Sequence, residues 1–444
     1  MKRIFKQLLS VLLCLVIGAT LMACAQGGGS DDPTKLTMWA GEQWVGTDYA
    51  NLEKFIDEFN ETNDMGLTIE LSCKPDFNTS LQSALTRGNA PDLITWSRFN
   101  TPTFAKSNYL YPLDDLIARD NIDTTIFQEQ TMQECIWDGV TYALPLDVDP
   151  WGLYMNMDMF NEYNEKANED PNDDYEPAEE PTTWSALLDT ALKLTQRDAK
   201  GQITVTGYTN TEMFGHYFPF LVSAGGTCFG EDGMTDFDNE RSVAVIEYLK
   251  TLANADICAA GRDTKQAFAT DMVAIINQSI YFSNYLNEGY PDVNYKFYPL
   301  PAYDGDLGGG VNGGMLGGFG IATPNPGRFK DEAWEARHEN AWEFMKWWLT
   351  EEQNMLRWSE ISSTLPALKA TYDDPEITES EVLSTAQEYI DNYQIRPQVP
   401  GWYYMQVSVF NREFPNYFSG AQTLDELLAN LKLQCDNIIT QYAS

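Results

Sequence analysis

The chain has 444 residues, with 66 acidic side chains against 28 basic ones and a formal charge of −38. Such a surface repels phosphate backbones and anionic head groups, which excludes nucleic acid as a partner and favours a neutral or cationic ligand. With only two histidines, His216 and His338, and no Cys-x-x-Cys spacing, most zinc, haem and histidine-base chemistry is excluded, and no cofactor or metal is expected.

The N-terminus opens with Lys2, Arg3 and Lys6 ahead of an apolar run over residues 8–18. That run is too short for a permanent membrane span, and a basic start before a short apolar middle describes an export signal. Leu21-Met22-Ala23-Cys24 follows and resembles the bacterial lipobox, in which the cysteine thiol receives a diacylglycerol and becomes the new N-terminus. Residues 1–23 are therefore expected to be a lipoprotein signal peptide, and the Gly-rich residues 24–33 a flexible tether. Five further cysteines remain (Cys73, Cys135, Cys228, Cys258 and Cys435), an odd number whose default reading is buried free thiols. The remaining length suits two or three domains.

Leu36–Trp39 predicts a strand, with residues 40–44 a loop at its carboxyl end. Leu52, Phe55, Ile56 and Phe59 recur at helical spacing and predict one apolar helix face. Leu67, Ile69 and Leu71 alternate as in a half-buried strand. A second helix is predicted over 78–87 and stops at Gly88, and the next strand spans 91–96. Alternating strands and helices imply an α/β fold with a largely parallel sheet. In such sheets a ligand sits beyond the carboxyl ends of the strands, where Trp39, Glu42, Trp44 and Trp96 fall. The acidic run 161–180 reads as a solvated loop; it fails the calcium-loop pattern, because Tyr175 and Pro181 stand where Gly and Glu are needed.

From here several segments resemble one family in order. They include Ala84-Leu85-Thr86-Arg87-Gly88-Asn89-Ala90-Pro91-Asp92, Leu110-Tyr111-Pro112-Leu113-Asp114-Asp115 and Asp138-Gly139-Val140-Thr141-Tyr142-Ala143-Leu144-Pro145. Leu153–Phe160, Pro181–Leu187, Phe268–Ile275, Tyr298–Pro301 and Ala341–Trp348 continue the series across nearly the whole chain. Together these segments resemble the extracellular solute-binding proteins, family 1, the maltose-binding-protein relatives that serve ABC importers. The resemblance implies a periplasmic-binding-protein-like type II fold of two α/β lobes joined by a hinge. It places the first lobe at 34–145 plus 302–360 and the second at 146–301 plus 361–444. It also implies a monomer without enzymatic activity, tethered to the membrane through its lipid. Such a protein binds a carbohydrate, an oligosaccharide in particular, between its lobes and hands it to the permease subunits.

The glycine run 308–314 satisfies G-x-G-x-x-G but leads into no helix, so it is no dinucleotide site. The family resemblance instead gives Gly313 and Gly314 a close approach to ligand. Asp147 and Asp149, two apart on a strand, face one way and suit sugar hydroxyls. The same pair would suit a glycosidase, and the same fold could hold a peptide or polyamine, so both alternatives stay open here. Aromatic rings cover the apolar faces of sugars. Trp39, Trp44, Trp96, Trp151, Tyr281 and Trp402 lie at strand ends or loops and are candidates for that role, with Glu42, Asp147, Asp149 and Asn277 as hydrogen-bonding partners. Where this chain has Tyr281, relatives often carry tryptophan. Trp184, Trp342, Trp347 and Trp348 lie on helical faces and read as core.

Overall fold

The computed structural model describes residues 32–41, 47–169, 176–209, 213–259 and 264–443. Cys24, Glu42 and Trp44 lie outside the described residues, so their expected roles have no structural account.

The first lobe grows from the predicted alternation. Strands β1 (Lys35–Ala40), β2 (Thr68–Cys73) and β3 (Leu93–Ser97) pair in parallel, in the order β2-β1-β3. The helix Thr47–Thr62 buries Leu52, Phe55, Ile56 and Phe59 against a tryptophan-rich wall, with Phe55 stacked on Trp348 at 4.3 Å. The helix Phe77–Arg87 ends at Gly88, whose φ of 75° is the left-handed cap that glycine adopts without a Cβ penalty. After β3 come the hairpin β4 (Ile136–Trp137) and β5 (Val140–Thr141), then β6 (Leu144–Pro145).

The second sheet is built on β7 (Asp147–Asn156), a ten-residue strand. It goes on through β8 (Gln196–Arg197), β9 (Ile203–Tyr208), β10 (Val273–Ser279), β11 (Tyr295–Pro299) and β12 (Gly314–Gly317). The chain then returns to the first sheet as β13 (Phe319–Ala322), antiparallel to β3 and β6. Later strands β14 (Leu365–Pro366) and β15 (Tyr393–Ile395) rejoin the second sheet through β7 and β12. One sheet therefore reads β2-β1-β3-β13-β6. The other reads β15-β12-β7-β10-β9-β8, with β11 and β14 also on β7.

The chain passes between the sheets near Leu146, at Gly318 and near Thr364. The expected change of lobe at residue 302 gives way to Gly318. Residues 300–317 stay with the second lobe because Leu300 bridges Gly313, Val311 N–H donates to the Ser223 carbonyl, and β12 pairs with β7. The run 161–180 also departs from expectation. Its first nine residues extend the helix Met157–Glu169, whose inner face buries Ala167. Cys135, Cys228 and Cys435 are buried thiols outside any disulfide, whereas Cys73 and Cys258 are half-buried and their thiols donate to the Gly41 and Ala259 carbonyls. Trp184, Trp342 and Trp348 are buried and Trp347 is half-buried, as their helical spacing predicted.

One side chain fastens the crossings together. Arg98, just past β3, has no exposed surface. Its Nη1 donates to the Asp147 and Phe319 carbonyls at 2.7 and 2.6 Å, and its Nη2 to the Gly317 carbonyl at 2.8 Å. Nε donates to Glu134 Oε2 at 3.2 Å. Asp147 Oδ1 accepts the Phe319 N–H at 2.7 Å and faces Arg98 at 3.6 Å. Gly318, at φ 129°, leaves room for this: a Cβ there would stand 2.6 Å from Arg98 Nη1 and 2.7 Å from Asp147 Oδ1. Removing one partner of a buried ion network strands the others without water, at about 3–5 kcal/mol. Arg98→Met is therefore expected to lower unfolding stability by about that much in urea titration. A loss below about 1 kcal/mol, the range of exposed pairs, would show that the network does not hold the crossings.

Candidate functional site

The two lobes meet along a seam whose walls come from strand ends. On one wall β3 runs into Phe99 and the helix Thr101–Lys106. Opposite them lies the segment after β15. Arg396 lies over the Phe99 ring at 3.7 Å, Tyr403 approaches that ring at 6.4 Å, and Gly401 N–H donates to Thr103 Oγ1 at 3.0 Å. Phe99, a first-lobe residue, packs within the second lobe's core cluster, which marks it as a plug between the lobes. Further along, Asn51 Nδ2 donates to Asn284 Oδ1 at 2.9 Å across the seam.

The end of β7 and the end of β10 supply the polar floor. Asp149 is 7% exposed, and its Oδ1 accepts the Tyr281 N–H at 3.3 Å. Burial pushes the Asp149 carboxyl up to about 7, with the neighbouring Asp147 charge acting the same way; the Ser279 hydroxyl and Tyr281 N–H oppose. Burial also raises Asp147 to about 6, against the pull of Arg98. Asp48, across the seam, is lifted to about 6 by burial. Glu134 is raised by burial despite Arg98 and Arg396 beside it. The Tyr281 hydroxyl is held well above its ordinary range by burial and by the Asp48 charge, and it faces Asn51. Asn277 is buried on β10 opposite Leu153, and the half-buried Trp151 pairs with Ser279 where the strands open.

The structure thus brings Asp149, Trp151, Asn277 and Tyr281 to one place. Other expected contacts go elsewhere. Trp96 is 1% exposed and packs against Phe104 in the first core. Trp402 has no exposed surface and sits among Phe218, Phe229 and Phe410 in the second core, so its removal would open a cavity in that lobe. Asp147 serves the crossing with Arg98 and does not face a groove. Gly313 is explained by the chain's approach to itself, since a Cβ would lie 2.2 Å from the Asn392 carbonyl oxygen, and Gly314 packs on Leu300 and the Trp151 carbonyl. Trp39 lies at a shallow groove of about 380 Å³, with the Lys74 ammonium 4.6 Å above its ring. Sequence reading missed Arg98, Phe99, Glu134 and Arg396. Their partners are distant in the chain, and no local pattern marks them.

A carboxyl raised above its ordinary value keeps its proton in the folded chain at pH values where the unfolded chain has lost it. The stability this confers is complete below about pH 4 and is lost as pH rises through the folded values near 6 and 7. Asp149→Asn removes one such group, so the variant should gain on wild type by on the order of 2 kcal/mol between about pH 5 and 8. Thermal melts across that range check this; parallel pH profiles for the two proteins would contradict it.

A family model for bacterial extracellular solute-binding proteins matches residues 54–385. The maltotriose-binding protein of Pyrococcus abyssi is 22% identical over 339 residues, which are 74% of this chain and 66% of that protein, just under two thirds. Among solved structures, a Listeria monocytogenes ABC substrate-binding protein in complex with cycloalternan superposes with a TM-score of 0.74 at 18% identity, covering 93% of this chain and all of that one. A Thermotoga lettingae ABC solute-binding protein bound with α-D-tagatose gives 0.73 at 21%, covering 91% and 100%. These superpositions show a common fold, and with the family model matched over residues 54–385 the chain belongs to the bacterial extracellular solute-binding protein family.

Proposed function

We propose that this protein captures a neutral carbohydrate, an oligosaccharide, between its lobes and delivers it to the transmembrane subunits of an ABC importer. The observation that carries this reading is the seam. Asp149, Asn277 and Tyr281 supply hydrogen-bonding groups where β7 and β10 pair, with the Trp151 ring beside them, and the Tyr281 hydroxyl faces Asp48 and Asn51 of the other lobe. Carboxylates and amides accept or donate to hydroxyls, and rings cover the apolar faces of a pyranose. Excluding water on closure strengthens each of those hydrogen bonds. The relatives named for maltotriose, cycloalternan and tagatose support the ligand class. A chain of formal charge −38 disfavours an anionic guest.

The same reading includes a lipid anchor. Leu21-Met22-Ala23-Cys24 has the lipobox pattern, and among the described residues no helix is long and apolar enough to cross a membrane. Closure of a single-chain clamp needs no second copy, so the protein acts as a monomer.

Titration calorimetry of the mature chain against maltotriose, mannotriose and tagatose is expected to give saturable heat with at least one of them. At 100-fold excess over Kd, the same sugar should stabilise the fold by about 2.7 kcal/mol. No heat and no thermal shift with any of the sugars would contradict the carbohydrate reading. Incorporation of labelled palmitate that survives Cys24→Ser would contradict the anchor.

A further inference from the structure

Two arginines are buried near the seam, and they are used differently. Arg98 spends its guanidinium on three carbonyls and a carboxylate. Arg396 is 6% exposed, yet its Nε has no partner, and among the described residues no carboxylate forms an ion pair with it. Burial lowers Arg396 only to about 10, so it stays charged at neutral pH. The charged groups that face it are Glu134, Arg98 and Asp149.

A buried donor without an acceptor is costly, and a cationic one more so. Such groups are rare and call for an explanation, often a missing ligand or water. The setting shows which acceptor would fit. The guanidinium carbon lies over the Phe99 ring, 3.7 Å from its centroid, and the N–H donors of a guanidinium radiate in its own plane. Glu134 and Asp149 already face it, so its charge has acidic neighbours and does not call for an anionic guest. Neutral oxygens on adjacent carbons suit a planar fork of donors instead. Arg396 belongs to the second lobe through β15, and Phe99 to the first through β3. This contact therefore exists only when the lobes are together.

We propose that the Arg396 guanidinium is a ligand-contacting group that donates hydrogen bonds to neighbouring hydroxyl oxygens of the glycan, with Phe99 fixing its plane on closure. This rests on the carbohydrate reading above. The test compares the mature wild-type chain with Arg396→Met, which keeps bulk over Phe99 but has no donors. Each is titrated with maltotriose, mannotriose and tagatose, and its ligand-free melting temperature is measured. A sugar bound by wild type should bind the variant at least about tenfold more weakly, the scale of losing one charge-assisted hydrogen bond. The ligand-free melting temperature should hold or rise, because an unpaired buried charge has gone. Unchanged affinity in the variant overturns the assignment. A weaker affinity accompanied by a matching fall in ligand-free stability also overturns it, since that marks a structural role. If wild type binds none of the three sugars, the carbohydrate reading fails and this inference fails with it, a result distinct from a sugar-binding wild type whose variant is unaffected.

Discussion

The architecture depends on a guanidinium that water does not reach. Arg98 ties the β6–β7 passage to the β12–β13 passage through the carbonyls of Asp147, Gly317 and Phe319. Main-chain bonds add to this, with Leu146 N–H on the Phe319 carbonyl at 3.0 Å and Ala367 N–H on the Leu146 carbonyl at 3.4 Å. The passages are thereby held side by side as one strap. A strap that is narrow and well bonded lets two rigid lobes rotate without either core being disturbed. Hinge closure in two-lobe binding proteins uses a few residues of this kind to absorb the backbone change.

Charge shapes what the seam accepts. Asp147, Asp149, Glu134 and Asp48 are all driven toward protonation by burial; Arg98 opposes this at Asp147, Arg98 and Arg396 at Glu134, and Lys265 at Asp48. Asp149 and Asp48 come from opposite lobes, and taking them out of water resists closure. A guest that supplies oxygens to Arg396 and donors to Asp149 would offset that resistance. Closure and occupancy are then linked by the desolvation of the same few groups, and ligand shifts the balance by its differential affinity for the closed form.

Local pattern made the first lobe legible. The 3.6-residue spacing of Leu52, Phe55, Ile56 and Phe59 and the stop at Gly88 placed both helices to within a few residues, because short-range periodicity and cap chemistry decide those features. Strand β12 was not legible, because the four residues Gly-Met-Leu-Gly carry no alternation, and the change of lobe at residue 302 was implied by the family resemblance alone. The tryptophans divided for a similar reason. An indole after a proline turn looks the same in sequence whether it faces a ligand or a core, and Trp402 packs inward on Phe218 and Phe229. Arg98 was invisible because its partners lie 36, 49 and 221 residues away, and nothing local foretells such pairing. Asp149, Asn277 and Tyr281 could be suspected because strand ends and family order pointed to them; Arg396 had neither signal.

The central claim is that two lobes on an Arg98-fastened strap close over a sugar. Small-angle X-ray scattering of the mature chain, alone and saturated with a sugar shown to bind by calorimetry, tests it most directly. The account predicts that the radius of gyration falls on saturation. A bound protein whose scattering is the same as that of the free protein would contradict it.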